Sequence, residues 1–265
     1  MNFGPAKTLS DTPNEPMRAT TALVLFTVAL LIRLLNLATL DDFFNEDSAM
    51  YWRMAEQVSQ IFTSANGDTG EWTRMAERMP LYPLFVSAIQ SWIAEAPLAV
   101  VIAQSIIDSA TVVMIAMLAS VIGPSTGIVA GLLAAVWPNM VINSALILTD
   151  TLFLFFFTAC LLGCIRFIQK SNAANATTIG IMLGLALATR AAIQFLVPIF
   201  LIAVIVVAWR AGCSSRKTTI CAVLFAIAVS LPVLPTLHRN YDRFDRLFLT
   251  DQGSIHLLYW VLPSV

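Results

Sequence analysis

The residues best suited to chemistry fall in the longest polar interval of the chain. It opens with Asn45-Glu46-Asp47-Ser48-Ala49-Met50-Tyr51 and closes with Glu77-Arg78-Met79-Pro80-Leu81-Tyr82-Pro83. The carboxylates of Glu46 and Asp47 can take a proton from a hydroxyl, and the Arg78 guanidinium is a fork matched to anionic oxygens. Glu77 and, far downstream, His238 are of ligand type for a divalent metal. Asp150 and Arg190 interrupt apolar stretches, where an unpaired charge is costly. A mutual ion pair holding two helices and a place on a cavity wall account for them equally well. Asp47 also has two readings from its position alone, a reactive carboxylate or a charge that favours the N-terminus of its helix. Tyr51, Tyr82 and Trp92 are aromatics of the kind that settle at a membrane surface.

The elements that must position these residues are apolar. Of 265 residues 58% are hydrophobic and 12% charged, and the mean hydropathy is +0.80, so the fold class is all-α, a polytopic membrane helix bundle. Apolar runs predict about seven spans of the length a bilayer core requires: 20–40, 97–122, 128–147, 152–168, 177–189, 192–209 and 219–237. Trp137-Pro138 should kink the third. Arg33 lies near the end of the first span, where a long side chain can snorkel to the interface. Asp108, in the middle of the second, reads as a group hydrogen-bonded within the bundle. Two short helices are expected inside the 41–96 loop, both along the membrane surface. The first covers 45–62, is one-sided in its apolar residues and is capped by Asn45; the second covers 83–94.

Charge sets the expected orientation. Arg166, Lys170, Arg210, Arg216 and Lys217 occupy two short loops with no acid, which predicts that those loops are cytoplasmic. Residues 1–19 are then a cytoplasmic tail, and the 41–96 loop, Asp150, Arg190 and the 238–265 segment share the extracytoplasmic face. The net charge of -1 gives no basic surplus for nucleic acid. The four cysteines avoid the outward stretches, so no disulfide is expected, and Cys160-x-x-x-Cys164 reads as packing. Phosphate-loop, dinucleotide, zinc-protease and hydrolase-elbow motifs are absent, as are the internal repeats of transporters.

Five stretches in order carry a resemblance. They are Asp47-Ser48-x-x-Tyr51-x-x-x-Ala55; Arg78-x-Pro80-Leu81-Tyr82-Pro83-Leu84-Phe85; Leu148-Thr149-Asp150-x-Leu152-Phe153; Gly184-Leu185-Ala186-Leu187-Ala188-Thr189-Arg190; and Leu231-Pro232 through Arg239-Asn240-Tyr241-x-x-Phe244. Together they resemble the GT-C membrane glycosyltransferases, in the group containing protein O-mannosyltransferases and lipid A aminoarabinose transferases. Ala191 stands where that group usually has proline, and Met79 where a first proline is common. The resemblance covers 20–265, while such enzymes usually continue for further spans, so the expectation is the N-terminal part of one, apparently truncated.

The resemblance implies transfer of a sugar from a polyprenyl-phosphate donor to a hydroxyl of a protein, glycan or lipid acceptor. It makes Asp47 the catalytic base, and Arg78 and Arg239 the groups that hold the donor phosphate. Glu46, Tyr51, Tyr82, Asp150 and Arg190 are expected to line the cavity. Glu77 and His238 remain candidates for a metal, with no cofactor otherwise implied. The rival expectation is a non-catalytic relative that binds lipid phosphate or acts with a partner chain.

Overall fold

A computed structural model describes residues 17–57, 78–93 and 96–253, and for Glu46 the backbone alone. Regular structure among them is entirely helical. In chain order the helices are α1 (Ala19–Leu37), α2 (Glu46–Glu56), α3 (Leu81–Gln90), α4 (Pro97–Ala119), α5 (Pro124–Val136), α6 (Pro138–Ala145), α7 (Asp150–Gln169) and α8 (Ala173–Thr189). A 3-10 turn (Ala191–Phe195) leads into α9 (Leu196–Arg210), and α10 (Ser215–Ser230) and α11 (Leu234–Phe244) follow.

Four of these runs are long and apolar enough to cross a membrane: α1, α4, α7, and the 3-10 turn together with α9. Two bent pairs raise the number to six when each is taken as one span, α5 with α6 (49°) and α10 with α11 (55°). The first bend falls at Trp137-Pro138, where the ring of Pro138 keeps Trp137 out of helical backbone, at ψ 118°. The expected fifth span, 177–189, is α8, which at 17 residues is shorter than the ~20 a bilayer core takes. The last span was expected to run to Leu237. It breaks earlier, between Ser230 and Leu234, where Pro232 lies in the break and Pro235 in the first turn of α11. The first surface helix occupies 46–56, between the caps Asn45 and Gln57, and 58–62 lie outside the described residues.

Polar side chains set several helix starts. Asn45 Oδ1 accepts from the Ser48 backbone N–H at 2.8 Å and from the Ser48 hydroxyl at 2.8 Å, the cap expected from the sequence. Asn172 does the same for α8 through the Asn175 N–H at 2.8 Å.

Packing forms two joined groups. α4 lies against α1, α5 and α7, and α8 is held between α7 and α10. Gly180 and Gly184 let α8 approach α10 closely. A Cβ on Gly180 would stand 2.6 Å from the Phe225 carbonyl oxygen, and one on Gly184 2.6 Å from that of Val229. Leu23, Leu35, Ile199, Ile202 and Trp209 point outward from α1 and α9, a lipid-facing surface.

Arg33 does not snorkel. It is wholly buried, with Nε donating to Asp108 Oδ2 at 2.6 Å and Nη1 to the backbone oxygens of Ala29 and Ala135 at 2.9 and 3.1 Å. The Asp108 carboxylate in the facing span is what draws it inward. Three helices, α1, α4 and α5, meet at this one guanidinium.

Candidate active site

The chain reaches one end of the bundle through α1, α6 and α8 and leaves it through α4, α7 and α9, so the links between them gather there. α2 and α3 fill the longest of these links. Among them lies a cavity of about 400 Å³, within the size range of ordinary ligand sites. Asp47, Tyr51, Arg78, Asp150 and Arg190 all line it, so five of the side chains singled out in the sequence converge on one space.

Asp47 sits in the first turn of α2, held there by the Asn45 cap, and its side chain is 53% exposed. Arg78, just before α3, donates from Nη2 to Asp47 Oδ1 at 3.1 Å. One turn further along α2, the Tyr51 ring lies beneath the Arg78 guanidinium, 5.8 Å from ring centroid to Cζ. The Arg78 Nε–H is buried and bonds to no described residue. Burial raises the Tyr51 hydroxyl above its ordinary pKa, against a smaller opposing pull from Arg78, which keeps it a neutral hydroxyl.

Across the cavity, Arg190 follows the last residue of α8 and donates from Nη1 to Asp150 Oδ1 at 2.5 Å. Asp150 opens α7, where the helix dipole favours a negative charge. The Arg190 guanidinium also lies 5.7 Å over the Phe153 ring. The mutual ion pair and the cavity wall are thus one arrangement. The rest of the wall comes from Leu148 and Thr149 before α7, from the 3-10 turn with Gln194, and from Thr250, Gln252 and Gly253 downstream of α11. The sequence reading quoted Thr149 in a motif without giving it a role and passed over Gln194, Thr250 and Gln252; a polar residue at the end of an apolar run was the available sign.

Tyr82 stands behind the cavity wall. It is fully buried, its hydroxyl donates to Gln104 Oε1 at 2.5 Å, and Gln104 Nε2 donates to the Leu146 oxygen at 2.7 Å. Its ring meets Tyr51 edge-on at 5.2 Å, so it braces the residue that carries Arg78. Gln104 was not anticipated, although a glutamine inside an apolar span is itself a signal.

Arg239 is also placed elsewhere. It is largely buried on α11, with Nε and Nη2 both donating to Asn240 Oδ1 at 3.0 and 2.9 Å. Asn240 Nδ2 in turn donates to the Phe248 oxygen at 2.7 Å. The pair thereby secures the segment after α11, the one that contributes Thr250 and Gln252 to the wall. His238 is exposed and faces Asp242 at 3.4 Å, one turn along. Glu77 and the Glu46 side chain lie outside the described residues. Among the described residues no three His, Cys, Asp or Glu side chains are grouped as a metal site would need.

The family described as dolichyl-phosphate-mannose-protein mannosyltransferase matches residues 77–235. No curated protein matches the chain, and no solved structure does.

Proposed function

The chain belongs to the dolichyl-phosphate-mannose-protein mannosyltransferase family of GT-C membrane glycosyltransferases, and from that premise we propose that it moves a sugar from a polyprenyl-phosphate donor to an acceptor hydroxyl on the extracytoplasmic face, with Asp47 as general base. The observation that carries this reading is the Asp47–Arg78 contact on the wall of the 400 Å³ cavity. A half-exposed carboxylate and a guanidinium beside it are what a hydroxyl nucleophile and a phosphate leaving group each need.

The acceptor oxygen bonds to the sugar's anomeric carbon as Asp47 takes the hydroxyl proton. The bond from that carbon to the phosphate oxygen breaks, and its electron pair leaves with the phosphate. Arg78 receives that charge without giving up a proton, because a guanidinium stays charged at any working pH. The donor phosphate competes with Asp47 for Arg78, so donor binding releases the carboxylate for its role as base. Arg190 offers a second cation on the opposite wall, and Thr149, Gln194 and Gln252 offer hydrogen bonds to sugar hydroxyls.

The outward orientation is supported by the basic residues at the other end of the bundle. Arg166 ends α7, Arg210 ends α9, and Arg216 and Lys217 open α10, all remote from the cavity.

The test is transfer from polyprenyl-phosphate mannose to an acceptor peptide or glycolipid in proteoliposomes. Asp47→Asn should lower kcat by about 10²- to 10⁴-fold, the usual worth of a positioned base, with the donor still bound. Transfer at the wild-type rate by Asp47→Asn would remove Asp47 from the mechanism.

A further inference from the structure

Gln104 is wholly buried inside α4, in a mostly apolar span where an unmatched amide would be costly. Both ends of the amide are used. Oε1 accepts from the Tyr82 hydroxyl of α3 at 2.5 Å, and Nε2 donates to the Leu146 and Ser144 oxygens at 2.7 and 3.3 Å. Those oxygens stand at the end of α6, where the last carbonyls have no partner within the helix. The glutamine thus caps α6 with one end and holds α3 with the other. Neutral, and able both to accept and to donate, it does so without placing a charge inside the span.

Each arm leads to a wall of the cavity. From Tyr82 the path runs through its edge-on contact with Tyr51 at 5.2 Å to the Arg78 guanidinium, 5.8 Å from the Tyr51 ring centroid. From Leu146 it runs along extended backbone, at ψ 147°, into Leu148, Thr149 and Asp150, and Asp150 holds Arg190. The Thr149 side chain is hydrogen-bonded to Tyr51, so the two paths close into a ring that begins and ends at Gln104. The two guanidiniums of the cavity therefore take their separation from one buried side chain that touches neither.

We propose that Gln104 is a positioning residue for the donor, fixing the spacing between Arg78 and the Asp150–Arg190 pair so that both guanidiniums address the same donor. This rests on the reading of Arg78 as the group that receives the donor phosphate.

The experiment compares Gln104→Met and Tyr82→Phe with the wild type in proteoliposomes, using polyprenyl-phosphate mannose as donor, beside hydrogen–deuterium exchange of the same proteins. Each variant should raise the donor KM about three- to tenfold, the worth of one hydrogen bond, with kcat at saturating donor nearly unchanged. The double variant should be no worse than Gln104→Met alone, because both break the same link. Exchange should quicken over 46–56 and 146–153 in Gln104→Met and over 46–56 alone in Tyr82→Phe, with 215–230 unchanged in both. If Gln104→Met melts lower than the wild type, Tyr82→Phe, which keeps the ring and its contact to Tyr51, carries the KM readout. Unchanged exchange over 46–56 and 146–153 in Gln104→Met overturns the brace whatever the rates of transfer. A donor KM raised in Arg78→Ala but unchanged in the Gln104 and Tyr82 variants overturns the positioning role, as does an effect confined to kcat. An unchanged donor KM in Arg78→Ala instead strikes the reading of Arg78, and the proposal with it.

Discussion

Asp47 and Arg78 satisfy each other across 3.1 Å, and this reciprocity separates the effects of removing either one. Without the carboxylate the donor can still be held but the hydroxyl keeps its proton, so the loss falls on kcat. Removal of the guanidinium leaves the base in place and takes away a charge-assisted contact to phosphate, worth about 1.5–3 kcal/mol. Arg78→Ala should therefore raise the donor KM by roughly 10- to 100-fold, by the same figures, with a smaller change in kcat, read from initial rates at varied donor. Arg78→Lys should recover only part, since it keeps the charge but loses the fork. An Arg78→Ala enzyme with an unchanged donor KM would exclude Arg78 from donor binding. Asp150 and Arg190 were marked by charge in apolar surroundings, and Asp47, Tyr51 and Arg78 by the motifs of the polar interval. That Tyr51 would carry Arg78, and Tyr82 stand behind it, was not legible, because both tyrosines fit a membrane surface equally well by type.

At the scale of elements, the helix starts and the bend at Trp137-Pro138 were readable because proline, asparagine and glycine act within a few residues of where they stand. Pairing between helices was not, because an apolar run presents no register to its neighbours. The α8–α10 contact is the case in point. Nothing in the alternation of 173–189 names its partner, yet Gly180 and Gly184 place α8 where a side chain would collide with α10 backbone. Gly180→Leu should lower the unfolding free energy by about 1–3 kcal/mol, the usual cost of forcing bulk into a filled interface. The difference is measurable as a lower melting midpoint in detergent. Gly123→Ala is the control. Its backbone is extended at φ 172° and the new Cβ would meet nothing closer than the Thr126 hydroxyl at 3.7 Å, so it should melt within error of the wild type.

For the whole molecule, the contact least visible in the sequence is the one that fastens its N-terminal half. Arg33 and Asp108 are 75 residues apart in different spans, and each alone reads as an anomaly with a local remedy, snorkelling for one and a neutral hydrogen bond for the other. Only the packing of α1 against α4 shows that each is the other's remedy. The Arg33 contact to the Ala135 oxygen fixes the end of α5 just before its bend. A buried pair of this kind contributes little net stability when intact but is costly to halve, because the remaining charge has no water to turn to. Arg33→Met should then lower stability by about 3–5 kcal/mol, and Asp108→Leu by a similar amount. The double variant Arg33→Met/Asp108→Leu should recover most of that loss, as well-packed apolar replacements of buried ion pairs do. Unfolding of the four proteins in one detergent closes the cycle. Additive losses would mean that the two charges do not depend on each other, and that α1 is held to α4 by apolar packing alone.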